Sequence, residues 1–249
     1  DASGSIHAVL PDLGELYVLN ADGSLRERVS GLGRPADVFA DRDRIYLSDV
    51  EQNHLYMLDP ASYGIMLASE YPVAPHPLML DSDGSRLYIG QLGEGKVLAV
   101  DTETLETVGE VTLGGLGYIL DMALDAQHGV LYVAHMLSPR YGAISRIDTD
   151  QMVVTVTRWG DLEQPLVGAD AISVDSERGT VILGVAEGYL TLDAETLAVQ
   201  ELTRLPRSAW NRTMTFDPLD STLYVAGQSG QIWTAVLPAE NERHHERRR

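Results

Sequence analysis

The chain has 249 residues, 44% of them hydrophobic, with no cysteine and a formal net charge of −19. That composition supports a sizeable core and is far from that of a disordered chain. It rules out disulfides, thiolate metal sites, iron–sulfur ligation and c-type haem attachment, and an acidic body of this kind repels nucleic acid.

In chain order, the first residues, Asp1-Ala2-Ser3-Gly4, read as a mature start. Three short apolar segments follow at Ile6 to Pro11, Glu15 to Asn20 and Leu25 to Ser30. Four longer units then run over about 36–76, 77–119, 120–169 and 170–211. Each contains four segments rich in Val, Ile, Leu and Tyr, cut by turn signals, which is the pattern of an antiparallel meander. The last segments lie at Thr213 to Asp217, Leu223 to Ala226 and Ile232 to Leu237. The nine closing residues hold four Arg and two Glu, so 241–249 reads as a charged tail outside a domain spanning 1–240. No apolar run approaches the length of a membrane-spanning helix.

Two ladders of residues mark the repeat. Asp41, Asp81, Asp125, Asp175 and Asp217 each close one apolar segment, at spacings of 40, 44, 50 and 42. Asn20, Asp59, Asp101, Asp148 and Asp193 each open a polar turn, at spacings of 39, 42, 47 and 45. Asp and Asn suit such corners because their short side chains accept backbone N–H groups two residues on. A period near forty with four strands per unit predicts β-propeller blades. With strands a to d counted outward, the N-terminal segments supply b, c and d, and the C-terminal ones supply a, b and c. The reading is an all-β chain: a single six-bladed propeller with incomplete terminal blades. The alternative is a fragment of a seven-bladed one.

The stretch from Pro35 to Asp41, then Arg44 to Asp49, then Asn53 to Pro60 resembles an NHL repeat. Asp83 to Gly90 followed by Lys96 to Thr104 is similar to the YVTN repeat of secreted bacterial and archaeal propellers. The resemblance implies a propeller and a periplasmic or extracellular location. It implies little about activity, since one fold carries many functions.

Counted back from the first Asp ladder, two positions are apolar: Ala40, Leu80, Leu124, Val174, Phe216 and Val38, Leu78, Met122, Ile172, Met214. The row between them is mixed (Phe39, Met79, Ala123, Ser173, Thr215), which predicts one dry face per inner strand. Four and five positions back stand Asp37, His76, Asp121, Asp170 and Arg212, with Asn211 beside the last. A closed ring gathers these positions at the mouth of its channel. Carboxylates there suit Ca²⁺ or another divalent cation, or a small ligand, and a bound metal would activate water. Six-bladed metal-dependent lactonases use such a site, but their Glu at an inner-strand start has no counterpart here. The plainer reading makes the aspartates turn caps and pairs Arg212 with Asp170 or Asp37.

No phosphate-binding loop, nucleophile elbow or cofactor-attachment residue is present. His54 and His135 read as surface or edge histidines near strand ends. The stretch from Met136 to Gly142 is longer than its counterparts, and Leu137, Pro139, Arg140 and Tyr141 are candidates for contact with a protein partner. Three functions follow. The first is a non-catalytic binding or scaffold module, or a subunit of a larger extracytoplasmic assembly. The second is a divalent-metal lactonase or hydrolase, and the third is the propeller subunit of a redox enzyme.

Overall fold

The structure is a computed structural model. It describes residues 4–41, 43–81, 84–139, 141–160, 166–205, 211–227 and 232–237, with the side chains of 211, 212 and 227 left undescribed. Residues 241–249 and Arg140 therefore lie outside it. The described chain is almost entirely strand. In order come β1 (Ile6–Leu10), a 3-10 turn (Pro11–Leu13), β2 (Glu15–Leu19) and β3 (Leu25–Ser30). Four strands follow in each of four groups. These are β4 (Pro35–Ala40), β5 (Ile45–Asp49), β6 (His54–Leu58) and β7 (Ile65–Glu70); then β8 (Pro75–Leu80), β9 (Arg86–Gln91), β10 (Lys96–Asp101) and β11 (Thr107–Thr112). Next are β12 (Ile119–Asp125), β13 (Val130–Met136), β14 (Gly142–Asp148) and β15 (Val153–Trp159); then β16 (Ile172–Asp175), β17 (Thr180–Val185), β18 (Gly188–Asp193) and β19 (Val199–Arg204). The last are β20 (Asn211–Asp217), β21 (Thr222–Gly227) and β22 (Ile232–Val236).

These strands form six sheets of consecutive neighbours, four of four strands and two terminal ones of three, as a propeller with incomplete end blades requires. The chain divides into two compact units, Asp1–Ile119 and Leu120–Arg249. In the first unit, the sheet of β1–β3 packs on that of β4–β7 through Leu16, Leu32, Ile45 and Leu47. The opposite face of β4–β7, with Tyr46, Leu55 and Met57, packs on Leu78, Leu87 and Leu98 of the next sheet. In the second unit, Tyr132 and Ile144 meet Ile172, Val181 and Leu183. Beyond them, Ile182 and Tyr189 meet Met214, Leu223 and Val225.

Successive strand residues point to opposite faces, so Ile45 and Leu47 serve one interface while Tyr46 serves the other. The expectation of a single dry face per inner strand is corrected here. Phe39 packs into the core between the second and third sheets, and Ala123 is buried in that between the fourth and fifth. A sheet with a neighbour on both sides has no wet face except at its outer strand. Accordingly β5 and β17, whose sheets have a neighbour on either side within their own unit, are buried throughout, whereas β7 and β19 of the same sheets alternate between exposed and half-buried.

The aspartates of the second ladder fold as turn pins. Asp59 Oδ1 accepts Ala61 N (3.1 Å) and Ser62 N (2.7 Å), and Asp101 Oδ1 accepts Glu103 N (3.0 Å) and Thr104 N (2.9 Å). Four residues past each such Asp the chain turns left-handed, at Tyr63, Leu105, Met152 and Leu197, with φ between 51° and 57°. Beside these turns every c–d strand pair shifts register by a bulge, which strengthens the local twist. The ladder turn of one sheet also receives a tyrosine from the sheet before it. Tyr132 Oη donates to Ala194 O (2.9 Å), and Tyr46 Oη to Thr102 O (3.4 Å). Burial raises the pKa of both phenols.

Packing outweighs these polar ties. Leu183 is fully buried, and Leu183→Ala is expected to cost about 2–5 kcal/mol. Tyr132→Phe, which removes one hydrogen bond and keeps the ring, is expected to cost about 0.5–1.5 kcal/mol. Urea unfolding midpoints of the two variants check the ranking.

Candidate functional site

The residues at the starts of the inner strands divide into two rows. Asp37 and Asp121 occupy one, at equivalent places in β4 and β12. Asp37 Oδ1 accepts the N–H of Val38 (2.8 Å), and its Oδ2 accepts that of Leu78 (2.9 Å), on the inner strand of the following sheet. Asp121 repeats this in the second unit: Oδ1 takes Met122 N (2.9 Å) and Oδ2 takes Ile172 N (2.9 Å). Leu78 and Ile172 stand at the same repeat position. Each carboxylate is thus a clasp between neighbouring inner strands, which belong to different sheets and share no backbone ladder.

His76 and Arg212 belong to the second row. The pairing of β4 with β5 skips Ala36, that of β8 with β9 skips His76 and Pro77, and that of β20 with β21 skips Arg212. These are bulge positions, and a bulge re-aims its side chain. His76 thereby approaches Asp37, with Nδ1 4.0 Å from Oδ2 and both side chains 32% exposed. That Nδ1 has no hydrogen-bond partner. Burial raises the pKa of Asp37, against its two backbone hydrogen bonds and the neighbouring His76; burial lowers that of His76, against the attraction of Asp37.

Of the channel-mouth candidates, Asp37 and His76 are brought together. Asp170 is half-buried in the turn before β16. Asn211 and Arg212 begin β20, and their side chains lie outside the described residues. No group of three or more His, Asp or Glu residues among the described ones is placed to hold a metal ion.

The 136–142 stretch is only slightly longer than its counterparts as a loop, because most of its extra length extends the flanking strands to Met136 and Gly142. Tyr141 O accepts both Leu137 N and Ser138 N at 3.0 Å. Pro139 is exposed, while Leu137 and Tyr141 are half-buried. His135 corrects the reading of a surface or edge histidine, being 2% exposed. Its Nε2 lies 2.9 Å from Ser145 Oγ, which lies 2.9 Å from Thr157 Oγ1, and Trp159 meets its ring edge-on.

His135 belongs to a row that the sequence reading missed. The last residue of the b strand in the second and third sheets, and the next-to-last in the fourth, is polar and buried: Asp49 (0% exposed), Gln91 (4%) and His135 (2%). Aligning Ile-Tyr-Leu-Ser-Asp, Leu-Tyr-Ile-Gly-Gln and Leu-Tyr-Val-Ala-His exposes this row. Around Asp49, the connections 11–14, 31–34 and 51–52 line an open cleft of about 560 Å³.

Asp37→Ala and Asp121→Ala each strand two N–H groups and are expected to cost about 1–3 kcal/mol. The loss at Asp37 is the smaller, since burial disfavours its charge; denaturation midpoints measure both. A histidine with a lowered folded pKa binds fewer protons folded than unfolded, so stability falls as pH drops below 6.5. His76→Gln is expected to flatten that slope between pH 7 and 5. Asp37 acts in the opposite sense above pH 3.8, its raised pKa costing stability as it ionises.

No family model matches the sequence, and no curated protein matches it. Among solved structures 1602 chains match, which marks a widely used fold. One is a chain of Kuenenia stuttgartiensis hydrazine synthase, with a TM-score of 0.65 at 10% identity, covering 95% of this chain and 93% of that one. At that identity the likeness supports the β-propeller architecture and carries no activity across.

Proposed function

We propose that this chain is a non-catalytic propeller module of the YVTN/NHL type that docks a protein partner, as one component of an extracytoplasmic assembly. The observation that carries this reading is the paired clasp. Asp37 and Asp121, the carboxylates best placed to hold a channel ligand, direct both oxygens at backbone N–H groups of adjacent strands. Acidity supports a basic partner: a surface at −19 attracts cationic proteins over a Debye length and repels polyanions. The connections between outer and inner strands, and between b and c strands, offer the docking surface. They include the cleft beside Asp49 and the loop bearing Pro139.

The rival reading, a divalent-metal hydrolase, predicts saturable calcium, magnesium or zinc binding that Asp121→Ala abolishes. Isothermal titration is expected to show none, and native purification is expected to yield a complex of fixed stoichiometry. Tight metal binding accompanied by lactone hydrolysis, or a strict monomer from the native source, overturns the docking reading.

A further inference from the structure

Asp49 closes β5 and is fully buried. Its Oδ1 accepts three N–H groups, those of Arg34, Glu51 and Gln52, each at 3.0 Å. Its Oδ2 is shut off from solvent and has no hydrogen-bond partner. One oxygen alone therefore ties the connection before β4 to the turn after β5, and the other is a desolvated acceptor left over. Such an atom costs free energy unless a donor reaches it.

The surroundings of that oxygen are built to leave it free. Gly33 lies directly against it: a Cβ at this position would overlap Asp49 Oδ2 and stand 2.8 Å from Gln52 Nε2. Gly33 and Gln52 both line the open cleft of about 560 Å³, together with Asp12, Glu51 and Arg34. Asp49 thus sits behind the cleft wall, covered by a glycine and by the amide of an exposed glutamine. Gln52 Oε1 is engaged by Tyr56 Oη (2.9 Å), which anchors the amide at its other end. With Asp49 behind them, the ionisable residues of the cleft carry three negative charges against the one positive charge of Arg34.

We infer that this cleft receives a basic side chain, the guanidinium or ammonium of an Arg or Lys on a protein partner, whose N–H groups displace the Gln52 amide and satisfy Asp49 Oδ2. The inference rests on the docking reading and names its partner chemistry. A charge-assisted hydrogen bond to a buried carboxylate is about twice as strong as a neutral one. Asp12 and Glu51 at the rim supply steering, and Arg34 opposes the guest.

The test is calorimetric titration of the whole chain, at low ionic strength, with acetyl-Gly-Arg-Gly-amide and with its neutral citrulline analogue. The expected result is saturable one-to-one binding of the arginine peptide and none of the citrulline peptide. Asp49→Asn keeps Oδ1 for its three N–H groups and deletes the charge; it is expected to weaken binding about tenfold or more. Gly33→Ala is expected to act alike, and Arg34→Ala to tighten binding. Glu51→Lys, on the exposed rim where folding is not at stake, is expected to abolish it. Absence of arginine-peptide binding, or binding that Asp49→Asn and Gly33→Ala leave unchanged, overturns the inference. A native partner that still co-purifies with Asp49→Asn at wild-type yield also sinks the cleft, and leaves the docking role intact. A wild-type monomer that nonetheless binds the peptide sinks the docking role alone.

Discussion

The second and fifth sheets of this protein each have two apolar faces, and water is kept from both only by a sheet on either side within the same unit. The fully buried strands β5 and β17 express that constraint. A buried leucine contributes about 1.5–3 kcal/mol, and each interface within a unit holds several. Within each unit the sheets therefore stack face to face, and polar chemistry is confined to strand ends, where the backbone turns and its N–H groups lose their ladder partners.

Aspartate meets that need repeatedly because one carboxylate accepts several N–H groups at once. Asp59 and Asp101 pin the turns that lead to the outer strands, and hydrogen bonds from those turns lower their pKa, led at Asp59 by the Ser62 hydroxyl and at Asp101 by the Thr104 backbone. Asp37 and Asp121 do something different with the same chemistry, joining the inner strands of adjacent sheets. Much of the acidity is thus a by-product of a repeat with many corners. Its consequence for partners follows all the same, since exposed carboxylates set the field a partner meets.

Asp49 stands apart from both kinds of aspartate. A turn pin on the surface can leave its second oxygen to water, whereas Asp49 cannot, because Gly33 and Gln52 close over it. His76 presents a related imbalance, a desolvated ring nitrogen 4.0 Å from a carboxylate that is already engaged. Local structure that carries such groups is held in place by the packing around it, and the polar residues at the ends of the b strands lie where connections, free of ladder constraints, approach one another.

The repeat was legible in the amino-acid order because strand alternation and turn chemistry are local: Leu87-Tyr88-Ile89 and Asp101-Thr102-Glu103-Thr104 declare a buried strand and its corner without reference to the rest of the chain. Sheet number, strand order and the incomplete terminal sheets followed from counting such signals. What the tertiary structure decided was which atoms meet. Asp37 and His76 look like members of one polar ring, yet a bulge at His76 turns one row into two, and the partner of Asp37 is a backbone N–H some forty residues away. His135 looks like an edge residue and is buried, because β13 and β14 extend past it and carry the outer strand over its ring. Contacts between sheets depend on twist, register shifts and the absence of a single Cβ at Gly33. None of these leaves a periodic mark in a sequence, and so the architecture was written locally while the candidate site was made by packing.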